Sequence, residues 1–91
     1  MKIRVHVFIS GKVQGVFFRF RTVERSHHLG VTGWVKNLPD GRLEAVFEGD
    51  KVAVEEMINF CKIGPPKSLV KAVEIRQEVY TGEHKDFAIT Y

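Results

Sequence analysis

Ninety-one residues, 44% hydrophobic and 27% charged, make a globular chain that suits a single domain over residues 1–91 and needs nearly every apolar position for its core. Fourteen Lys and Arg against eleven Asp and Glu leave a formal charge of +3, enough to steer small anions but too thinly clustered to demand a nucleic acid. One cysteine, Cys61, excludes an internal disulfide and a zinc site of paired cysteines, and no apolar run is long enough to span a bilayer, so a cytoplasmic protein without membrane contacts is expected.

Ile3, Val5, Val7 and Ile9 alternate with Lys2, Arg4 and His6, which predicts a strand with one buried face and not the unbroken apolar run of a signal peptide. Phe8 breaks the polar face and is expected to pack. Gly11 is expected to end this strand. Gly15 falls in mid-loop, where positive φ turns successive N–H groups into one concavity. A helix is predicted from Phe18 to Leu29, with Thr22, Val23, Ser26 and Leu29 inward and Arg21, Glu24 and Arg25 outward.

The free N–H groups of that helix add to the concavity, and Arg19 brings a planar, permanently charged fork to the junction. The main-chain amides of Gln14, Gly15, Val16, Phe17, Phe18 and Arg19 are therefore expected to surround an anion, with phosphate the best match. An arginine chosen at random is a surface residue; the glycine-bearing loop just before Arg19 singles this one out. The side chains of Phe17 and Phe18 are expected to pack.

Gly30 supplies a left-handed helix stop. Val31–Leu38 and Arg42–Glu48 then read as a hairpin around Pro39-Asp40-Gly41, with Leu43, Ala45 and Phe47 on the buried face and Val46 out of pattern. Asn37 lies near the end of the first hairpin strand, where an asparagine is ordinarily a turn former. Asp50 is expected to cap a second helix, in which Val54, Met57, Ile58 and Cys61 form an apolar stripe ended by Gly64-Pro65-Pro66. Cys61 therefore reads as a buried structural thiol, not a nucleophile. Strands are predicted over Val70–Tyr80, with Val73, Ile75 and Val79 as its apolar positions, and over Phe87–Tyr91. His27 and His28 diverge on their helix and make no zinc pair, and His84 reads as part of a solvated turn.

The order β-α-β-β-α-β with a short extra C-terminal strand predicts an α/β fold, specifically a ferredoxin-like α+β sandwich: an antiparallel sheet with two helices on one face. In that topology the first and third strands are neighbours and the second lies beyond the third, so Arg19 and Asn37 can border one pocket.

The stretch Gly11 to Arg19, G-K-V-Q-G-V-F-F-R, followed by Gly33-Trp34-Val35-Lys36-Asn37, Asp40-Gly41 and Gly49, resembles the acylphosphatase family in residue type and spacing. The resemblance covers the whole chain, with Leu43 where the family more often has valine. It implies the same ferredoxin-like fold, and hydrolysis of acyl phosphates to a carboxylate and inorganic phosphate by direct attack of an oriented water. Arg19 would be the catalytic arginine and Asn37 the residue that orients the water, with inorganic phosphate as product and inhibitor. A carboxylate leaves with a conjugate-acid pKa of about 4, so no strong general acid is required and neither a metal nor another cofactor is expected. A monomer is expected as well.

Two other readings share the fold: a non-catalytic anion-binding module and an RNA-binding module. The latter needs stacking rings on central strands, which Phe17 and Phe18 at a loop-to-helix junction do not supply. A related carbamoyl-transferring maturation enzyme carries an acylphosphatase-like unit ahead of zinc-binding cysteines that this sequence lacks, so a stand-alone hydrolase is expected.

Overall fold

The computed structural model describes residues 1–91. Period-two alternation at the N-terminus becomes β1 (Lys2–Lys12), with Val5, Val7 and Ile9 buried. After a short loop come α1 (Phe18–Leu29), β2 (Thr32–Asn37), β3 (Leu43–Asp50), α2 (Lys51–Ile63), β4 (Leu69–Glu78) and β5 (Phe87–Ile89). The strands form one sheet in the order β4-β1-β3-β2-β5. Helix α1 lies over β2 and β5, and α2 over β1, β3 and β4, so one face of the sheet is covered. Between the layers, Phe18, Phe47, Val54, Met57, Cys61 and Phe87 meet the inward residues of β1, β2 and β3, and the Phe47 and Phe87 rings stack at 5.5 Å. No helix is long and apolar enough to cross a membrane.

The ferredoxin-like α+β arrangement is as predicted, except that the sheet is mixed rather than antiparallel throughout. Strand β5 runs parallel to β2, with Gly33 opposite Phe87. The cause is the route of the chain: residues 79–86 pass the end of the sheet where β2 begins, so the strand they lead into must run in the same direction as β2. Gly33 is needed at this joint. Its φ is 135°, and a Cβ there would lie 1.9 Å from the carbonyl oxygen of Val46.

Several local expectations are corrected. Gly11 does not end β1, which continues through a bulge between Ser10 and Gly11 to Lys12. Asp50 is the residue before α2 but makes no capping hydrogen bond; its carboxylate pairs with Lys2 Nζ at 3.3 Å. Strand β4 is an edge strand, which leaves Ile75 39% exposed, and Val79 lies beyond its end and is 85% exposed. Phe8 packs outside the core, stacked on His6 at 4.9 Å on the face away from the helices. Val46, opposite both His6 and Trp34, is buried beneath that face.

Candidate active site

At the Lys12 end of β1 the chain enters the loop of residues 13–17, anchored by the buried side chain of Val13. Gly15 has φ 74° and Phe17 φ 62°. Alternation of left-handed and ordinary residues aims successive N–H groups to one side, the geometry of an anion nest. The sequence had suggested this conformation only for the glycines. Of the ten backbone hydrogen bonds outside regular elements, none is donated by Gln14, Gly15, Val16 or Phe17.

Helix α1 continues the pattern. It begins without a side-chain cap and with no acidic residue in its first turn, where carboxylates and hydroxyls are usually found. Its first N–H groups and the positive end of its dipole are therefore left uncompensated beside a cation, Arg19. Such an arrangement is electrostatically unfavourable until an anion joins it. Arg4, Arg21, Arg42 and Arg76 all pair with carboxylates. Arg19 instead has the ring of Tyr91, 5.7 Å from its guanidinium carbon.

The loop is tied to the β2–β3 hairpin by one side chain. Gln14 Nε2 donates to the carbonyl oxygens of Leu38 at 2.8 Å and Arg42 at 3.0 Å, at the mouth of the hairpin. Asn37 is adjacent. It follows Val35 by two positions and so lies on the helix-covered side of β2. Its carboxamide oxygen is buried and accepts no hydrogen bond from the protein. Arg19 and Asn37 line the same cavity of about 270 Å³, together with Val13, Gly15, Phe17, Phe18, Phe20 and Ile89.

Thus the structure brings together the sequence-derived candidates, and it adds some that the sequence did not mark. The Gln14 side chain had no signature beyond its amide. Phe20 and Ile89 read as ordinary helix and strand residues. Phe17 is a correction: its side chain does not pack but stands 78% exposed, because a left-handed residue turns its side chain away from the chain that follows, whereas Phe18 is buried as expected.

Other reactive groups lie away from this cavity. Cys61 is fully buried, and burial pushes its thiol up to about 12, so it carries no thiolate near neutral pH. His27 Nε2 lies 3.0 Å from the Phe87 carbonyl oxygen and 3.1 Å from Asp86, which ties α1 to β5. His84 is half-buried beside Arg4 at the opposite end of the sheet, not in an open turn. No three His, Cys, Asp or Glu side chains converge as a metal would require.

Comparison with known proteins places the chain in a family. A family model described as Acylphosphatase matches residues 5–89. An acylphosphatase of Syntrophobacter fumaroxidans is 54% identical over 90 residues, covering 99% of this chain and 93% of the relative. The crystal structure of an acylphosphatase from Bacillus subtilis matches with a TM-score of 0.93 at 31% identity, covering 98% of this chain and 99% of that one. That of an acylphosphatase from Coxiella burnetii matches with a TM-score of 0.92 at 36% identity, over 98% and 93% of the two chains.

Proposed function

The chain belongs to the acylphosphatase family and hydrolyses acyl phosphates, and from that premise we propose that the cavity between the loop, α1 and the end of β2 is where it does so. The phosphoryl group sits among the amides of Gln14, Gly15, Val16, Phe17, Phe18 and Arg19, with the Arg19 guanidinium across two of its oxygens. The Asn37 carboxamide oxygen accepts a hydrogen bond from a water and directs that water's lone pair at phosphorus. A bond forms from water oxygen to phosphorus, and the bond from phosphorus to the acyl oxygen breaks. Its electron pair leaves on the carboxylate, and the water's proton passes to solvent.

The leaving group explains why so few groups suffice. A carboxylate needs no protonation to depart, so charge compensation and alignment are the main requirements. Each preorganised donor aimed at developing negative charge contributes about 3 kcal/mol to barrier lowering, so several amides and a guanidinium account for a large share without a cofactor. The observation that supports this reading is the shared cavity: an arginine without a carboxylate partner, loop amides without acceptors, and a buried carboxamide oxygen without a donor all meet there.

In this reading the protein works as one domain and a monomer in a reducing cytoplasm. Its only cysteine is a buried free thiol, and the exposed edge strand β4 carries Lys71, Glu74, Arg76 and Glu78, charges that discourage edge-to-edge pairing. Nucleic acid is not a partner in this reading: the cations over Phe8 and Trp34 on the open sheet face, Arg42, Arg76 and Lys36, are each already paired with a carboxylate, Asp40, Glu74 and Glu44.

Two variants test the assignment, assayed on benzoyl phosphate with a chelator present. Arg19→Ala lowers kcat/KM by about a thousandfold or more and abolishes inhibition by inorganic phosphate. Asn37→Ala loses kcat by about a hundredfold or more but leaves phosphate inhibition unchanged. Phosphate inhibition that survives in Arg19→Ala, or that disappears in Asn37→Ala, contradicts these roles.

A further inference from the structure

The phosphoryl half of the substrate occupies only the floor of the cavity, and its acyl half must leave through the mouth. Two aromatic rings flank that mouth. Phe17, the left-handed residue just before α1, and Phe20, in the first turn of α1, both line the cavity, and they are 78% and 58% exposed. Ile89, half-buried on β5, lines the same cavity. The other large exposed apolar residues, such as Val52, Ile63, Leu69 and Val79, do not line it.

Phe17 is also held at φ 62°, a conformation bulky side chains rarely adopt. A glycine would serve the nest equally well and expose no ring. Apart from Arg19, no charged residue lines the cavity. That guanidinium is committed to the phosphoryl oxygens, so a charged acyl tail finds no counter-ion, whereas an apolar one finds two rings and an isoleucine to cover.

We infer that Phe17, Phe20 and Ile89 form a subsite for the acyl group, and that the enzyme favours acyl phosphates whose acyl group is apolar or aromatic over those with a short or charged one. This rests on the placement of the phosphoryl group proposed above. The rings act by removing apolar substrate surface from water on binding, so their effect grows with the length of the acyl chain.

The experiment compares acetyl, butyryl, hexanoyl, benzoyl and succinyl phosphate on the wild-type enzyme and on Phe20→Ala. In Phe20→Ala the helix keeps a good helix former at a largely exposed position, so folding is little affected. In the wild type, kcat/KM rises about twofold per added methylene, as expected for a methylene about half covered at an open mouth, and benzoyl phosphate exceeds succinyl phosphate. In Phe20→Ala the ratio of hexanoyl to acetyl phosphate falls about fivefold while the inhibition constant for inorganic phosphate is unchanged. A wild-type kcat/KM independent of chain length, with phosphate still competing, overturns the subsite and leaves the phosphate site intact. Loss of phosphate inhibition in Phe20→Ala likewise overturns it, because the ring would then be a support of the loop. If phosphate fails to compete in the wild type, the phosphoryl placement itself is wrong.

Discussion

Phe17 combines two costs at one residue, a left-handed backbone and an exposed ring. The left-handed conformation costs a non-glycine residue roughly 1–2 kcal/mol, so Phe17→Gly is expected to stabilise the fold, by up to about 1 kcal/mol after the greater freedom of glycine in the unfolded chain is counted. Urea unfolding of the two proteins checks this, and a destabilised glycine variant would show that the ring contributes packing after all. The sequence marked Phe17 only for its main-chain amide; the exposed ring and left-handed backbone were not legible, since a phenylalanine beside another phenylalanine reads as core. Arg19 was legible from the glycine loop before it. Asn37 was legible only by family resemblance, because an asparagine near a hairpin is a turn former by default; its placement on the helix-covered side follows from a strand parity two residues from Val35.

Loop and hairpin, as elements, are held together by the Gln14 carboxamide, so the register between the loop amides and Asn37 depends on one donor and two carbonyl acceptors. Gln14→Glu puts carboxylate oxygens against both carbonyls. It is expected to lower kcat/KM for benzoyl phosphate by about tenfold or more, as the loss of a buried hydrogen-bonded donor does. Gln14→Met, which removes the donor without adding charge, should fall between the two, and a Gln14→Glu enzyme as active as wild type would rule the tether out. Gly15→Val isolates the backbone requirement, because a Cβ at Gly15 meets nothing within 4 Å and the only obstacle is φ 74°. Weakened phosphate inhibition is the expected result, and full activity would mean the nest geometry is dispensable. Most element boundaries were legible because period-two and helical patterns are local properties. The parallel direction of β5, the exposure of Ile75 and the diversion of Asp50 to Lys2 depend on the sheet edge and on chain neighbours that periodicity does not encode.

Across the whole molecule, the sheet has a chemical end and a structural end. At the end remote from the cavity, the side chain of Glu48 is fully buried, and it accepts hydrogen bonds from Thr81 N at 2.9 Å, Thr81 Oγ1 at 3.0 Å and Gly82 N at 3.4 Å, and from Arg4 at 3.3 Å. These contacts fasten the connection between β4 and β5 across the sheet. Burial pushes the Glu48 carboxyl up, but the bonds from Thr81, Arg4 and Gly82 outweigh it and hold the group below the usual range. Glu78 is lowered as well, first by Arg4 and then by His6. Both groups therefore favour the folded chain at pH values above the ordinary glutamate range of about 4.3, and that contribution fades as pH falls through their lower folded values. The urea midpoint should accordingly drop with acidification below about pH 4.5, and Glu48→Ala should flatten that dependence. Removing Glu48 leaves the Thr81 and Gly82 donors without their acceptor, although Arg4 keeps Glu78 and Glu83, at a cost of about 1–3 kcal/mol, while catalysis by the folded fraction should be unaffected at the distant site. A variant with unchanged Tm, or one that stays stable but is inactive, would refute this division of labour.

The central claim is that loop amides and Arg19 hold the phosphoryl group beside Asn37. Titrating inorganic phosphate into ¹⁵N-labelled protein, with backbone amide shifts followed by NMR, tests it most directly. The amides of Gln14 to Arg19 should move together and saturate at the concentration that gives half-maximal competitive inhibition. Shifts confined instead to the basic groove of Arg21, Arg25 and His28 beside Phe60, with the loop unmoved, would contradict the account.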